Sequence, residues 1–280
     1  MIREIAVSAI IPLVRDMCIE ANRIIPATVQ ERMVEALDNE TDPLARDILN
    51  TCIRNNELAA AQSMPICQDT GVAVMFVEVG QDVHITGGDL REALNEGVRQ
   101  GYHDGYLRKS MVDDPVIARK NTGDNTPAMI HFDIVPGDRL RIVFAPKGGG
   151  AENMSALRMM TPADGLSSVI DFVLDTVRNA GGNPCPPVIV GVGLGGNFEQ
   201  CAILAKKAVL EPLDRIHPEW AAVEADLLSR INALGIGPQG LGGRNTALAV
   251  RILSLPCHIA SMPVAVNLQC HAARHGVIEI

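Results

Sequence analysis

No Lys/Arg block occurs anywhere in this sequence, and its formal net charge is −9, from 24 Lys+Arg against 33 Asp+Glu. A binder of nucleic acid or of an anionic membrane surface concentrates basic residues on one face, so the composition argues against both classes. No apolar run is long enough to span a bilayer. The opening MIREIAVSAII has an early acid and no small-residue cleavage pattern. It does not read as a secretory signal, and a cytoplasmic location is expected. Internal repeats, low-complexity linkers and CxxC pairs are also missing. What is present, 280 residues with 47% hydrophobic and 20% charged, suffices for one large domain or two small ones with a sizeable core.

The hydrophobic periods predict an α/β protein: a helical N-terminal segment over residues 1–62, then a mixed-sheet region with flanking helices over 63–280. Helices are expected over most of 2–62, with Pro12 as a break or kink. VAVMFVEVG is a strand, and a helix follows, entered through Gly87-Gly88-Asp89. Two strands flank Pro136-Gly137-Asp138 as a hairpin. Residues 155–182 read as one helical stretch with a glycine stop. Further on come the strand VIVGVGL, the helix NFEQCAILAKKAVL, a helix over 219–234, a Gly-rich loop, and the strands TALAVRILSLP and SMPVAVNLQ.

Seven cysteines stand at 18, 52, 67, 185, 201, 257 and 270. An odd number at such wide spacing is not a disulfide framework. Cys18, Cys52 and Cys201 fall mid-helix among apolar neighbours and read as core residues. Cys67, Cys185 and Cys270 lie in loops or at a strand end, beside residues that forbid helix. Cys257 follows a proline and is ambiguous. Loop thiols can converge, and thiolates suit soft metals and iron–sulfur clusters; ordinary structural thiols are the alternative. Three thiols, unlike four, would leave one iron able to bind substrate as a Lewis acid.

Gly191-Val192-Gly193-Leu194-Gly195-Gly196 satisfies GxGxxG between a strand and a helix. No second strand follows with an acid at its end, because Glu211 closes the helix instead. A tight strand-to-helix turn is therefore favoured over a nucleotide site, and the fold is not expected to be a Rossmann fold. Lys147-Gly148-Gly149-Gly150 lacks the Walker order. It is either an anion-binding concavity of backbone N–H groups or a flexible turn.

PICQDTG (65–71), NTGDNTPA (121–128), KGGGAENMS (147–155), NPCPP (183–187), GIGPQGLGG (235–243) and LPCHIASMPVAVNLQCHAARHG (255–276) occur in this order over most of the chain. Together they resemble the α subunit of two-subunit, iron–sulfur-dependent class I fumarate hydratases. The tartrate dehydratase α subunit is a close relative with the same cysteine framework, and AENMS after the glycines looks like the fumarase version.

The resemblance implies a 4Fe–4S cluster held by Cys67, Cys185 and Cys270, with Cys257 a non-ligand. It implies reversible hydration of fumarate to L-malate. Asp69 and His258 are its catalytic residues; Gln68, Arg108, Gly149 and His258 bind the dicarboxylate. Taken alone, Asp69 could instead cap its loop as an Asx-turn, Arg108 could be a solvated helix-end charge, and His258 could be structural. Single-chain members of the family carry a further domain that this sequence lacks. A separate β subunit is therefore expected, with a homodimer of α or an α2β2 heterotetramer. The alternatives are an L-tartrate dehydratase α subunit, a non-catalytic iron–sulfur scaffold, or a nucleotide binder.

Overall fold

A computed structural model describes residues 2–280. Its elements in chain order are β1 (Arg3–Ala6), α1 (Val7–Ala21), α2 (Ala27–Asn39), α3 (Pro43–Gln62), β2 (Val72–Gly80), β3 (Val83–Thr86), α4 (Leu90–Asp104), β4 (Met129–Val135), β5 (Leu140–Lys147), α5 (Gly149–Glu152), β6 (Ala156–Met160), α6 (Gly165–Ala180), β7 (Val188–Gly196), α7 (Phe198–Ala208), α8 (Ala221–Asn232), β8 (Ala247–Cys257), β9 (Met262–Gln269) and β10 (Gly276–Glu279). The protein is mixed α/β, as expected. The chain forms two compact units. The first holds residues up to Ile25, Asn56–Gly149 and Arg274–Ile280; the second holds Pro26–Asn55 and Gly150–Ala273.

The first unit contains a four-stranded sheet of order β10-β5-β2-β4 and a parallel β1-β3 pair. Residues 3–6, expected to be helical, form the strand β1, and α1 then runs through Pro12 without ending. The expected hairpin is absent. β4 and β5 flank β2, which is parallel to one and antiparallel to the other. β2 is apolar almost throughout and largely buried, so it takes the central place, and the 136–139 connection crosses its end. There Gly80 donates to the Arg139 carbonyl at 2.8 Å, and a Cβ on Gly80 would lie 2.5 Å from the Gly137 oxygen. Asp89 caps α4 by accepting the Glu92 N–H at 2.9 Å. α1 and α4 pack closely because α4 carries Gly97 and Gly101 where they meet. A Cβ on either would lie 2.5–2.6 Å from Val14 or Cys18. Ile10, Val14, Leu94, Val98, Tyr102, Met75 and Phe144 fill the core beneath them.

The second unit contains a mixed sheet of order β6-β9-β7-β8, with α6 and α8 contributing to its main core. The helix expected from 155 begins as the strand β6, antiparallel to β9. Pro162 breaks the segment, and Thr161 and Asp164 then form a capping box (Thr161 N to Asp164 Oδ2, 2.7 Å), so helix starts only at Gly165. β7 runs straight through the GVGLGG glycines. A Cβ on Gly191 would lie 2.2 Å from the Ala205 oxygen, and one on Gly193 2.0 Å from the Cys201 oxygen. These glycines admit the backbone of α7 against the strand, which is a packing role. β10 lies beyond Cys270, where the hydrophobic pattern predicts no element.

Candidate functional site

Residues 65–71 link α3 to β2 in the first unit. Pro65 keeps them out of helix. Gly71 has φ +73, and a Cβ there would lie 2.7 Å from the Lys147 nitrogen, so only glycine fits. The loop is held from several sides. The Ile66 N–H donates to the Asn22 carbonyl at 2.9 Å, and the Thr70 hydroxyl to the Arg108 carbonyl at 2.8 Å. The Tyr102 hydroxyl donates to the Thr70 carbonyl at 2.6 Å; burial holds that phenol far above its ordinary range, so it is a fixed neutral donor. Asn125 Nδ2 donates to the Gly71 carbonyl at 3.1 Å. The buried Arg274 donates from Nη2 to the Asp69 carbonyl at 2.7 Å and from Nε to Asn22 Oδ1 at 3.2 Å.

This frame fixes the Asp69 carboxylate. Oδ1 accepts the Gly71 N–H at 3.0 Å and Oδ2 the Gly149 N–H at 2.9 Å. A Cβ on Gly148 would stand 3.3 Å from the same Oδ2. The glycine run after β5 is therefore a cradle for a carboxylate of this chain. Cys67 Sγ accepts the Asp69 N–H at 3.4 Å and lies 3.6 Å from Gln68 Oε1. Cys67, Gln68, Asp69 and Gly149 are thus brought together, and the backbone of Arg108 touches their loop. The Arg108 side chain is exposed, with no hydrogen bond or ion pair among the described residues.

In the second unit Cys185 is exposed in the turn before β7, at φ +55. A non-glycine residue there is strained and needs support from its surroundings. Its carbonyl accepts the His271 N–H at 3.2 Å and lies 3.0 Å from His271 Nδ1. The Pro186 carbonyl accepts Gln239 N–H at 2.8 Å and Nε2 at 3.1 Å. Gly240 lies against Gly182, where a Cβ would come within 2.6 Å of the Gly182 Cα. The Gly-rich loop is anchored in turn by Glu40. Its carboxylate accepts the Arg244 N–H and Asn245 Nδ2, each at 2.8 Å, the Thr41 N–H at 2.9 Å and the Asp42 N–H at 3.1 Å. Burial works to raise the Glu40 carboxyl, but these donors outweigh it and hold it below the usual range.

β9 runs antiparallel to β7 with Gln269 opposite Ile189, which delivers Cys270 to the Cys185 end of the sheet. Cys52, read from the sequence as a core residue, is buried but lies near both thiols. Its own thiol is pushed up to about 11 by burial and by Cys185 and Cys270. It lines a cavity of ≈ 420 Å³ with Asp47, Thr51, Asn55, Gln239 and His271. His258 is elsewhere. It follows Cys257, which pairs with Gly196 at the far end of β7, roughly 26 Å from Val188 at about 3.3 Å per residue. It is exposed, and its Nδ1 accepts the Ala260 N–H at 3.1 Å. Tyr102, Arg274 and Gln239 act as supports that no local pattern marks, although Gln239 and Arg274 lie inside GIGPQGLGG and CHAARHG.

Among the described residues no cysteine is joined in a disulfide. Among the described residues, no three His, Cys, Asp or Glu side chains crowd together as the ligands of one metal ion would. The sequence profile described as Fumarate hydratase (Fumerase) matches residues 11–279. The chain belongs to this family. A putative L(+)-tartrate dehydratase subunit alpha of Methanocaldococcus jannaschii is 40% identical over 268 residues, covering 93% of this chain and 94% of that protein. The L(+)-tartrate dehydratase subunit alpha of Escherichia coli strain UTI89 is 33% identical over 280 residues, covering 98% of this chain and 92% of that protein. The chain is therefore an α-subunit-type member of the Fumerase hydro-lyases. No helix among the described residues is long and apolar enough to cross a membrane.

Proposed function

We propose that this chain is the α subunit of an iron–sulfur hydro-lyase whose substrate is L(+)-tartrate, dehydrated to oxaloacetate. The near-full-length similarity to proteins named as L(+)-tartrate dehydratase α subunits carries the choice of substrate. It favours tartrate over fumarate, the substrate expected from AENMS. Hydration of fumarate is the second reading, supported by the family description.

Cys67, Cys185 and Cys270 are the residues that would hold a 4Fe–4S cluster. Each lies on non-helical backbone outside any disulfide, and Cys67 already accepts an N–H at sulfur, as a thiolate ligand does. Cluster thiolates bind separate irons, so they need not crowd like the ligands of a single ion. When bound, the cluster supplies a Lewis-acid iron that weakens the bond to a leaving hydroxyl. The rest falls to the protein. Asp69, pinned by two backbone N–H groups, orients the proton-transfer group at a fixed point beside Cys67. Arg108, with its guanidinium uncommitted, offers a planar fork to a substrate carboxylate, and Gln68 an amide. Gly149 acts through its N–H on Asp69. A β subunit, implied by the α-subunit relatives, would supply the remaining cationic groups.

The test is anaerobic turnover of L-tartrate, L-malate, fumarate and mesaconate by the chain with a β subunit and without it. The expected result is highest kcat/KM for L-tartrate and little activity from the chain alone. Faster turnover of fumarate would hand the assignment to the second reading. Equal rates without the β subunit would end the split-site idea.

A further inference from the structure

The two edges of the first unit's sheet are unlike. β10 has four residues, and its Glu279 lies 3.6 Å from both Arg139 and Arg141. β4, at the other edge, has seven residues, MIHFDIV, in unbroken register with β2. It contains no Pro, Lys, Arg or bulge, the usual means of blunting an edge. Three of its four exposed residues are apolar, Met129 at 43%, Phe132 at 38% and Ile134 at 80%, and the fourth is Asp133. Among the described residues β2 is its only strand partner.

We propose that β4 pairs antiparallel with β4 of a second copy of this chain, about a two-fold axis at Phe132. The strand order would become β10-β5-β2-β4-β4-β2-β5-β10. The sequence of β4 selects both partner and register. Residues directly opposite in an antiparallel pair share a face, so an axis perpendicular to the sheet must pass through a residue. At His131 it would set two imidazoles against each other, and at Asp133 two carboxylates. At Phe132 it sets His131 against Asp133 twice and Ile130 against Ile134 twice, with Met129 facing Val135. A His–Asp pair can share a hydrogen bond and apolar pairs bury area, so both stabilise cross-strand contacts, whereas two carboxylates directly opposite destabilise them. The patch is self-complementary, as a two-fold interface requires. This inference is independent of the substrate.

The test uses the full chain. Light scattering at micromolar concentration should give the mass of a dimer. Phe132→Cys treated with glutathione disulfide should yield a 132–132 link, two thiols joining as two glutathiones leave, identified by peptide mass. His131→Cys should give none, because it faces Asp133. Ile134→Lys should raise the dimer dissociation constant at least about tenfold with an unchanged far-ultraviolet circular dichroism spectrum, the residue being exposed within one chain. A monomeric wild type overturns the proposal, as does a dimer indifferent to Ile134→Lys. A link at His131→Cys in place of Phe132→Cys overturns the register. A monomer whose β-subunit binding is lost in Ile134→Lys assigns the edge to that subunit and overturns the second-copy partner.

Discussion

The Asp69 carboxylate accepts the Gly149 N–H at 2.9 Å, so the loop that carries Cys67 and the glycine run after β5 hold one group between them. Asp69→Asn keeps the size and one acceptor oxygen but removes the charge. With the β subunit present, kcat should fall about 10²–10³-fold, the range for losing a preorganised polar group, with a smaller change in KM. Steady-state kinetics and a melting curve check this. A collapse of folding rather than of kcat would make Asp69 structural.

Cysteine replacement separates the thiols by role. Cys67→Ser, Cys185→Ser and Cys270→Ser should each lose iron and sulfide after anaerobic reconstitution and lose the reduced-cluster EPR signal. Cys18→Ser and Cys201→Ser should keep both, because those thiols are buried in helix packing. Retention of full iron in any of the first three removes that residue from the ligand set.

Glu40→Gln should cost about 1.5–3 kcal/mol, because a buried carboxylate accepting several N–H groups is replaced by a neutral amide. The pH dependence has a definite sign. The folded Glu40 carboxyl lies below its unfolded value, so its stabilisation is present above about pH 4.5 and fades as pH falls through the folded value. Urea melts from pH 7 to pH 3 should show wild type and Glu40→Gln converging in acid. Looser Gln239 contacts to Pro186 should also lower cluster retention in the variant.

Gly193→Ala should destabilise by at least about 1–3 kcal/mol, since its methyl would lie 2.0 Å from the Cys201 oxygen and α7 would have to lift off β7. Chemical denaturation measures it. A neutral result would deny the close strand–helix approach that the GVGLGG glycines provide. Titration with NAD or ATP should show no binding.

Much of the fold was legible where local chemistry is unambiguous. β2, β7 and β9 are short, apolar and rich in β-branched residues, and α4 begins at an Asp89 cap that a sequence displays directly. β1 and β6 were hidden because four or five residues beside a helix, REIA and ALRMM, continue its pattern, and only pairing with a distant strand makes them extended. The pairing of β2 between β4 and β5 was hidden for a similar reason. A short turn suggests a hairpin, while competition for the buried central place is decided by the whole sheet.

The candidate site divides the same way. The sequence by itself singled out Cys67, Cys185 and Cys270, because proline and glycine neighbours keep them out of helices, and it marked Asp69 and the glycine run by residue type. Only the tertiary structure joined Asp69 to Gly149, set Tyr102 and Arg274 beneath the loop, brought Cys52 near Cys185 and Cys270, and left His258 at the far end of β7. Backbone conformation follows largely from near neighbours, whereas hydrogen bonds across eighty or more residues exist only once strands have been ordered and helices packed on them.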